Sequence, residues 1–226
     1  KDSLILVISD VKDEIEIKNQ VGYVFGGVDF YPESKISSIT NVTKGFYQQW
    51  DEERYKDLCQ RFEIDQNKKF KELSAGMKVK YSLAVAMSHN PKLLILDEPT
   101  SGLDPAARDD LVLLFQEFIE DGQHSILFST HITSDLEKCA DYITYIKQGQ
   151  ILASTDKDSF RKSYISVAGK KEQLSDALEE KIIGIHKHQF GFEGLMKSAD
   201  KASAEEAGFE IAEPGLEDIM VHIERR

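Results

Sequence analysis

The sequence is poor in positive charge. Its 226 residues carry 28 Lys and Arg against 40 Asp and Glu, with no long basic run. A polynucleotide binder needs clustered cations against the phosphate backbone, so nucleic acid is excluded as the main partner. A nucleotide, which asks only for a local positive site, is not. Cysteine is scarce too: Cys59 and Cys139 have the spacing of neither a metal site nor a disulfide framework. They read as packed core thiols, and a reducing compartment fits. No apolar run approaches the roughly 20 residues that span a bilayer. Residues 4–8 are too short for a secretory leader and acidic residues follow them, so a soluble chain is expected. Repeats and low-complexity tracts are missing as well.

What is present supports a real core, with 41% hydrophobic residues in a length that suits one or two domains. Residues 4–8 and 21–25 read as strands. From 31 to about 90 helical spacing dominates: Tyr55, Leu58, Cys59 and Phe62 fall at i, i+3, i+4 and i+7, behind acidic Asp51, Glu52 and Glu53. Ser74 predicts the N-cap of a buried helix over 75–88. Residues 93–96 are a short apolar run suited to a central parallel strand. Asp104 with Pro105 starts the next helix, whose inner stripe is Leu111, Leu114, Phe115 and Phe118, and Gly122 ends it. A strand over 125–130, a capping box in Ser134-x-x-Glu137 and a hairpin around Gln148-Gly149 follow. Alternating strands and helices give an α/β fold with a parallel sheet. After residue 160 the pattern restarts, loosely in β-α-β-β-α-β order. There His186 and His188 share one strand face with no third metal ligand in evidence.

The run Leu93-Leu94-Ile95-Leu96 ends in Asp97-Glu98. A buried strand carries such residues rigidly to the carboxyl edge of the sheet, where open α/β folds bind ligands. Asp97 there suits Mg²⁺, directly or through water, and Glu98 suits polarisation of an attacking water; two solvated charges at a strand end are the plainer alternative. The neighbours decide between them. Leu73-Ser74-Ala75-Gly76-Met77 lies one helix earlier, Ser101-Gly102-Leu103-Asp104 follows, and His131 stands after the next strand in Ser129-Thr130-His131.

In that order the chain resembles the ATP-binding subunit of ABC transporters over about residues 10–155, most specifically over 73–131. The resemblance implies a P-loop NTPase (RecA-like) core with an inserted helical subdomain and a small C-terminal α+β domain: residues 1–30 and 91–160 as ATP-binding core, 31–90 as helical signature subdomain, 161–226 as accessory domain. It implies ATP and Mg²⁺ as cofactors, and assigns Glu98 and His131 to catalysis and Asp97 to the metal. Ser74, Ala75, Gly76 and Met77 would meet the γ-phosphate of an ATP held by a second subunit, and Asp104 would shape the contact between subunits. A membrane permease is the implied further partner, with the chain peripheral on the cytoplasmic face. Ser-Ala-Gly-Met-Lys and the tail Pro214-Gly215-Leu216-Glu217-Asp218-Ile219 resemble the exporter branch linked to bacitracin-type peptide resistance.

Two family features are missing. The phosphate cradle G-x-x-x-x-G-K-[ST] occurs nowhere in the sequence, and Phe25-Gly26-Gly27 stands where the family has its Q-loop glutamine. A truncated chain is expected, inactive alone. A degenerate half that lends only its signature loop to a partner, or a soluble ATPase of the same architecture, are the alternatives.

Overall fold

A computed structural model describes residues 14–25 and 31–225. The strand expected over 4–8 and the Q-loop position at Gly26-Gly27 lie outside the described residues. The chain divides into two compact units, 1–131 and 132–226.

The first unit is built on a three-stranded parallel sheet of β1 (Val21–Val24), β2 (Leu93–Asp97) and β3 (Ser125–Ser129), with β2 in the centre. Helix α1 (Glu14–Gln20) leads into β1, while α2 (Ile36–Thr43), α3 (Glu52–Arg61) and α4 (Ala75–Met87) lie between β1 and β2, and α5 (Pro105–Ile119) joins β2 to β3. Asp51 caps α3, its carboxylate accepting from the amides of Glu53 and Arg54. Ser74 and Asp104 cap α4 and α5 in the same way. The expected stripes are buried: Tyr55, Leu58, Cys59 and Phe62 on α3 and its C-cap, Leu111, Leu114, Phe115 and Phe118 on α5. With Val24, Leu94 and Leu96 they form one apolar core. A Cβ at Gly22 would lie 2.6 Å from Leu94 Cδ2 and 3.0 Å from the Ala86 carbonyl, so α4 approaches β1 as closely as it does only because that residue is glycine.

The other face of this sheet is open among the described residues. Tyr23 and Leu127 are 52% and 61% exposed, on either side of half-buried Ile95. Parallel sheets are normally covered on both faces, so the reading of 93–96 as a fully buried run holds for Leu94 and Leu96 alone.

The second unit opens with α6 (Thr133–Cys139) and the hairpin β4 (Tyr142–Lys147) and β5 (Gln150–Asp156), turned at Gln148 and Gly149 with φ of 50° and 75°. After α7 (Lys157–Lys162) come β6 (Tyr164–Gly169), the single turn α8 (Asp176–Glu179), β7 (Ile183–His188), β8 (Gly191–Lys197), α9 (Lys201–Glu206), β9 (Glu210–Ala212) and α10 (Leu216–Glu224). The last four strands form an antiparallel sheet in the order β7-β8-β6-β9, the arrangement that the β-α-β-β-α-β succession produces.

Two details depart from expectation. The division falls at 131/132 instead of near 160, because Ile143, Tyr145 and Phe160 share a core with Leu195, Leu216, Ile219 and Ile223. The capping box at Ser134 does not form: α6 starts after Ile132 with no side-chain cap, and Glu137 Oε1 instead accepts from the Leu216 amide at 2.9 Å. His186 is held by Glu193 at 3.0 Å, and no group of three metal-competent side chains occurs among the described residues.

Two polar features inside the first unit can be tested by stability. Thr40 Oγ1 lies 2.8 Å from Tyr55 OH and 3.0 Å from Tyr81 OH, all three residues being buried. Burial pushes the Tyr81 phenol up to about 12. Thr40→Val should cost about 1–3 kcal/mol in urea denaturation by removing the hydroxyl that both phenols bond, and adding Tyr55→Phe and Tyr81→Phe should recover part of that loss. His89 is buried against Tyr47, ring centroids 4.0 Å apart, and burial lowers its pKa below the ordinary imidazole value. The unfolded chain therefore takes up this proton more readily. His89 leaves stability intact above the ordinary imidazole range and removes it as pH falls through that range. Denaturation midpoints between pH 7.5 and 5.5 should fall less steeply for His89→Gln than for the parent.

Candidate functional site

The carboxyl ends of β2 and β3 bring four side chains together. Asp97 pairs with Ser129 in the parallel register, and the serine hydroxyl donates to Asp97 Oδ1 at 2.6 Å. The Glu98 amide donates to the Ser129 carbonyl at 3.1 Å and sits 3.2 Å from its hydroxyl. Glu98 itself is turned into the left-handed region, φ 46°. Such backbone costs a non-glycine residue about 1–3 kcal/mol, and the ladder to Ser129 is what holds it. The turn continues through hydrogen bonds from the Ser101 amide to the Glu98 carbonyl and from the Leu103 amide to that of Thr100.

This bend aims the Glu98 carboxylate at His131. Oε1 lies 2.9 Å from His131 Nδ1, with the imidazole 71% exposed and the glutamate 34% exposed. Oε2 is buried and has no hydrogen-bond partner among the described residues. A buried carboxylate oxygen without a donor is unfavourable by about 1–3 kcal/mol. A water delivered to Oε2 would relieve this, and it would then sit against a base already oriented from its other oxygen. Asp97 is exposed, with one oxygen bonded to Ser129 and the other directed by that bond. A hard divalent cation accepts such a carboxylate directly or through water. The residues present thus fit both Mg²⁺ and an attacking water.

A second group of residues stands apart. Ser74 Oγ accepts from the Met77 amide at 3.2 Å, which leaves the first-turn amides of Ala75 and Gly76 without intrahelical acceptors. A serine-capped helix start with free amides suits an anion. The Met77 amide, by contrast, is already used by the cap. A Cβ on Gly76 would meet Leu103 Cδ2 at 2.7 Å, so this turn packs directly on the Ser101–Asp104 loop. Asp104 Oδ1 accepts from the Ala107 amide at 3.0 Å. That amide first, then the Ala106 amide and the Lys80 ammonium, holds the carboxyl below the usual carboxylate range. Among the described residues no hydrogen bond joins Ser74 or Gly76 to Asp97, Glu98 or His131.

Sequence reasoning missed two participants. Ser129 appeared only as a neighbour of His131, although its position opposite Asp97 in a parallel pair could have been counted from the two strand ends. Leu103 carried no signal, since its role lies in the space that Gly76 vacates.

Residues 5–101 match the family described as ABC transporter. Among curated relatives, the ABC transporter ATP-binding protein YtrB of Bacillus subtilis is 27% identical over 158 residues, 70% of this chain and 54% of that protein. The bacitracin transport ATP-binding protein BcrA of Bacillus licheniformis is 31% identical over 127 residues, 55% of this chain and 42% of that protein. A solved structure of an ATP-binding subunit of an ABC transporter superposes with a TM-score of 0.57 at 26% identity, covering 66% of this chain and 64% of that one. The chain spans about half the length of the curated relatives it matches. The superposition shows the P-loop NTPase fold of such subunits, and residues 5–101 are similar to the ABC transporter family.

Proposed function

We propose that this chain belongs to the ATP-hydrolysing subunit of a bacterial ABC exporter, acting in a dimer whose closure and reopening drive a membrane permease. The observation that carries the catalytic reading is the Glu98–His131 contact: one carboxylate oxygen is held at 2.9 Å and the other is left buried and free. In this reading Glu98 Oε2 takes the proton of the attacking water, and His131 keeps the carboxylate turned toward it. His131 Nε2, on the exposed edge of the ring, faces the terminal phosphate. Ser129 orients Asp97, which would hold Mg²⁺. The metal, when bound, supplies charge neutralisation on the phosphates.

Ser74 and the amides of Ala75 and Gly76 share no hydrogen bond with the carboxylate cluster. With the resemblance to ABC subunits, this supports a nucleotide shared between subunits: the second subunit offers its serine-capped helix to the ATP that this subunit's Asp97 and Glu98 serve. Asp104, at the loop packed on Gly76, belongs to the same seam. Residues 31–90 act as the signature subdomain, the rest of the first unit as core, and the second unit, 132–226, as an accessory domain. The aromatic residues over 46–50 are placed at the permease contact: Phe46 is 76% exposed there, whereas Trp50 packs against the core. No helix among the described residues is long and apolar enough to cross a membrane. A peripheral place on the inner face of the membrane follows from the permease contact. The exporter assignment rests on the Ser74–Lys78 loop, the tail over 214–219 and the similarity to the bacitracin transport ATP-binding protein BcrA.

Two experiments use the polypeptide that includes the phosphate cradle. Glu98→Gln should retain ATP binding while turnover falls roughly 10²–10⁴-fold, the usual worth of a general base. Turnover within a few-fold of the parent would remove Glu98 from this role. Ser74→Arg places a long cation over the free amides of α4. It should abolish ATP-driven dimerisation in sedimentation experiments while leaving monomer ATP binding within about threefold. Unchanged dimerisation would exclude the shared-nucleotide reading.

A further inference from the structure

The C-terminal unit contains a cavity of about 560 Å³ that has no part in the site described above. It lies where the end of α7 and the start of β6 meet the segments following β8 and β9. Its floor is apolar, formed by Tyr164, Ile165 and Ile211, and three cations reach its wall: Arg161, Lys162 and Lys201. Arg161 is half-buried. Its Nε donates to the Pro214 carbonyl at 3.3 Å, which lays the guanidinium along the wall. Among the described residues, neither the rest of that guanidinium nor the Lys162 ammonium meets a carboxylate within ion-pair distance. Lys201 leans on Glu205 of its own helix at 3.8 Å, a loose and exposed pair.

Two carboxylates share the wall, Asp158 and Glu213, and Lys201 is loosely paired with Glu205 outside it, so the wall carries at most one surplus positive charge. The small surplus selects among ligands. A phosphate dianion or a polyphosphate would add two or more negative charges beside Asp158 and Glu213 and be repelled by both. A monoanion matches the surplus, and a forked guanidinium suits a carboxylate in particular. The apolar floor asks for hydrocarbon on the same molecule, and the volume falls within the range of about 300–1,000 Å³ typical of small-molecule sites. We infer that this cavity is a binding site for a small organic carboxylate with an apolar body, the carboxylate resting on Arg161 and Lys162 and the hydrocarbon on Tyr164, Ile165 and Ile211. ATP is not the occupant.

The test titrates the ¹⁵N-labelled full chain with 3-phenylpropionate and, separately, with the neutral 3-phenylpropionamide, following backbone amide shifts. Saturable shifts should cluster at residues 161–165, 198–201 and 211–214. The amide should bind at least about tenfold more weakly, a difference of about 1.4 kcal/mol. Arg161→Gln with Lys162→Gln should weaken the carboxylate about tenfold without altering the spectrum elsewhere. Should the double variant lose its fold, Lys162→Gln alone, at an exposed position, should still weaken binding about threefold. Equal affinity for acid and amide, shifts outside these segments, or no saturable shift with either compound overturns the assignment. So does inorganic phosphate competing as well as the carboxylate, since the cavity would then be an unselective anion trap.

Discussion

Asp97 and Ser129 lie opposite one another on adjacent parallel strands, and the hydrogen bond between their side chains joins the two ends that carry chemistry. The register of β2 against β3 fixes that pair, and the same ladder supplies the Ser129 carbonyl that holds the Glu98 amide. A slip of one residue would turn each strand's side chains to the opposite face. Asp97 would then lose its serine, and the buried side of the strand would lose Leu94 and Leu96 from the core. The hydrophobic pattern of a short strand thereby positions charged groups it does not touch.

The helical segment is fastened to this sheet at several points of different strength. Gly22 lets α4 lie against β1, and the Thr40–Tyr55–Tyr81 cluster knots α2, α3 and α4 together from inside. At the surface Arg61 forms a two-pronged contact with Glu117, tying α3 to α5, while Arg54 lies 5.5 Å from the centroid of the Phe118 ring. Surface pairs of this kind contribute little to stability, about 0–1 kcal/mol. They are contacts that a shift of α3 past α5 can break and remake at small cost, in contrast to the buried hydroxyl knot.

Much of this was legible in the residues. Asp51, Ser74 and Asp104 announced three helix starts because a side-chain oxygen that caps is also a residue type that resists the helix interior. The stripe of Leu111, Leu114, Phe115 and Phe118 was legible because helical burial leaves a period. The order of Ser74, Asp97, Glu98 and His131 suggested the chemistry proposed for the site. What remained hidden depends on contacts distant in sequence. Glu137 was read as the closing residue of a local capping box, yet its carboxylate serves the start of α10, 79 residues away. The helix between β6 and β7 is a single turn over 176–179, with Leu174 and Leu178 packed on the C-terminal core. The bare sheet face at Tyr23 and Leu127 and the cavity beside Arg161 leave no trace in a linear pattern.

The left-handed backbone at Glu98 has a consequence for how the position can change. The fold imposes that conformation through hydrogen bonds that involve main chain, so the strain falls on whichever side chain occupies the site. Glycine would be the most comfortable occupant of residue 98 and would render it chemically silent. A β-branched residue would be the least comfortable. Durability and the chemistry proposed for Glu98 therefore pull this single position in opposite directions, and a variant selected purely for resistance to heat would tend to discard the carboxylate.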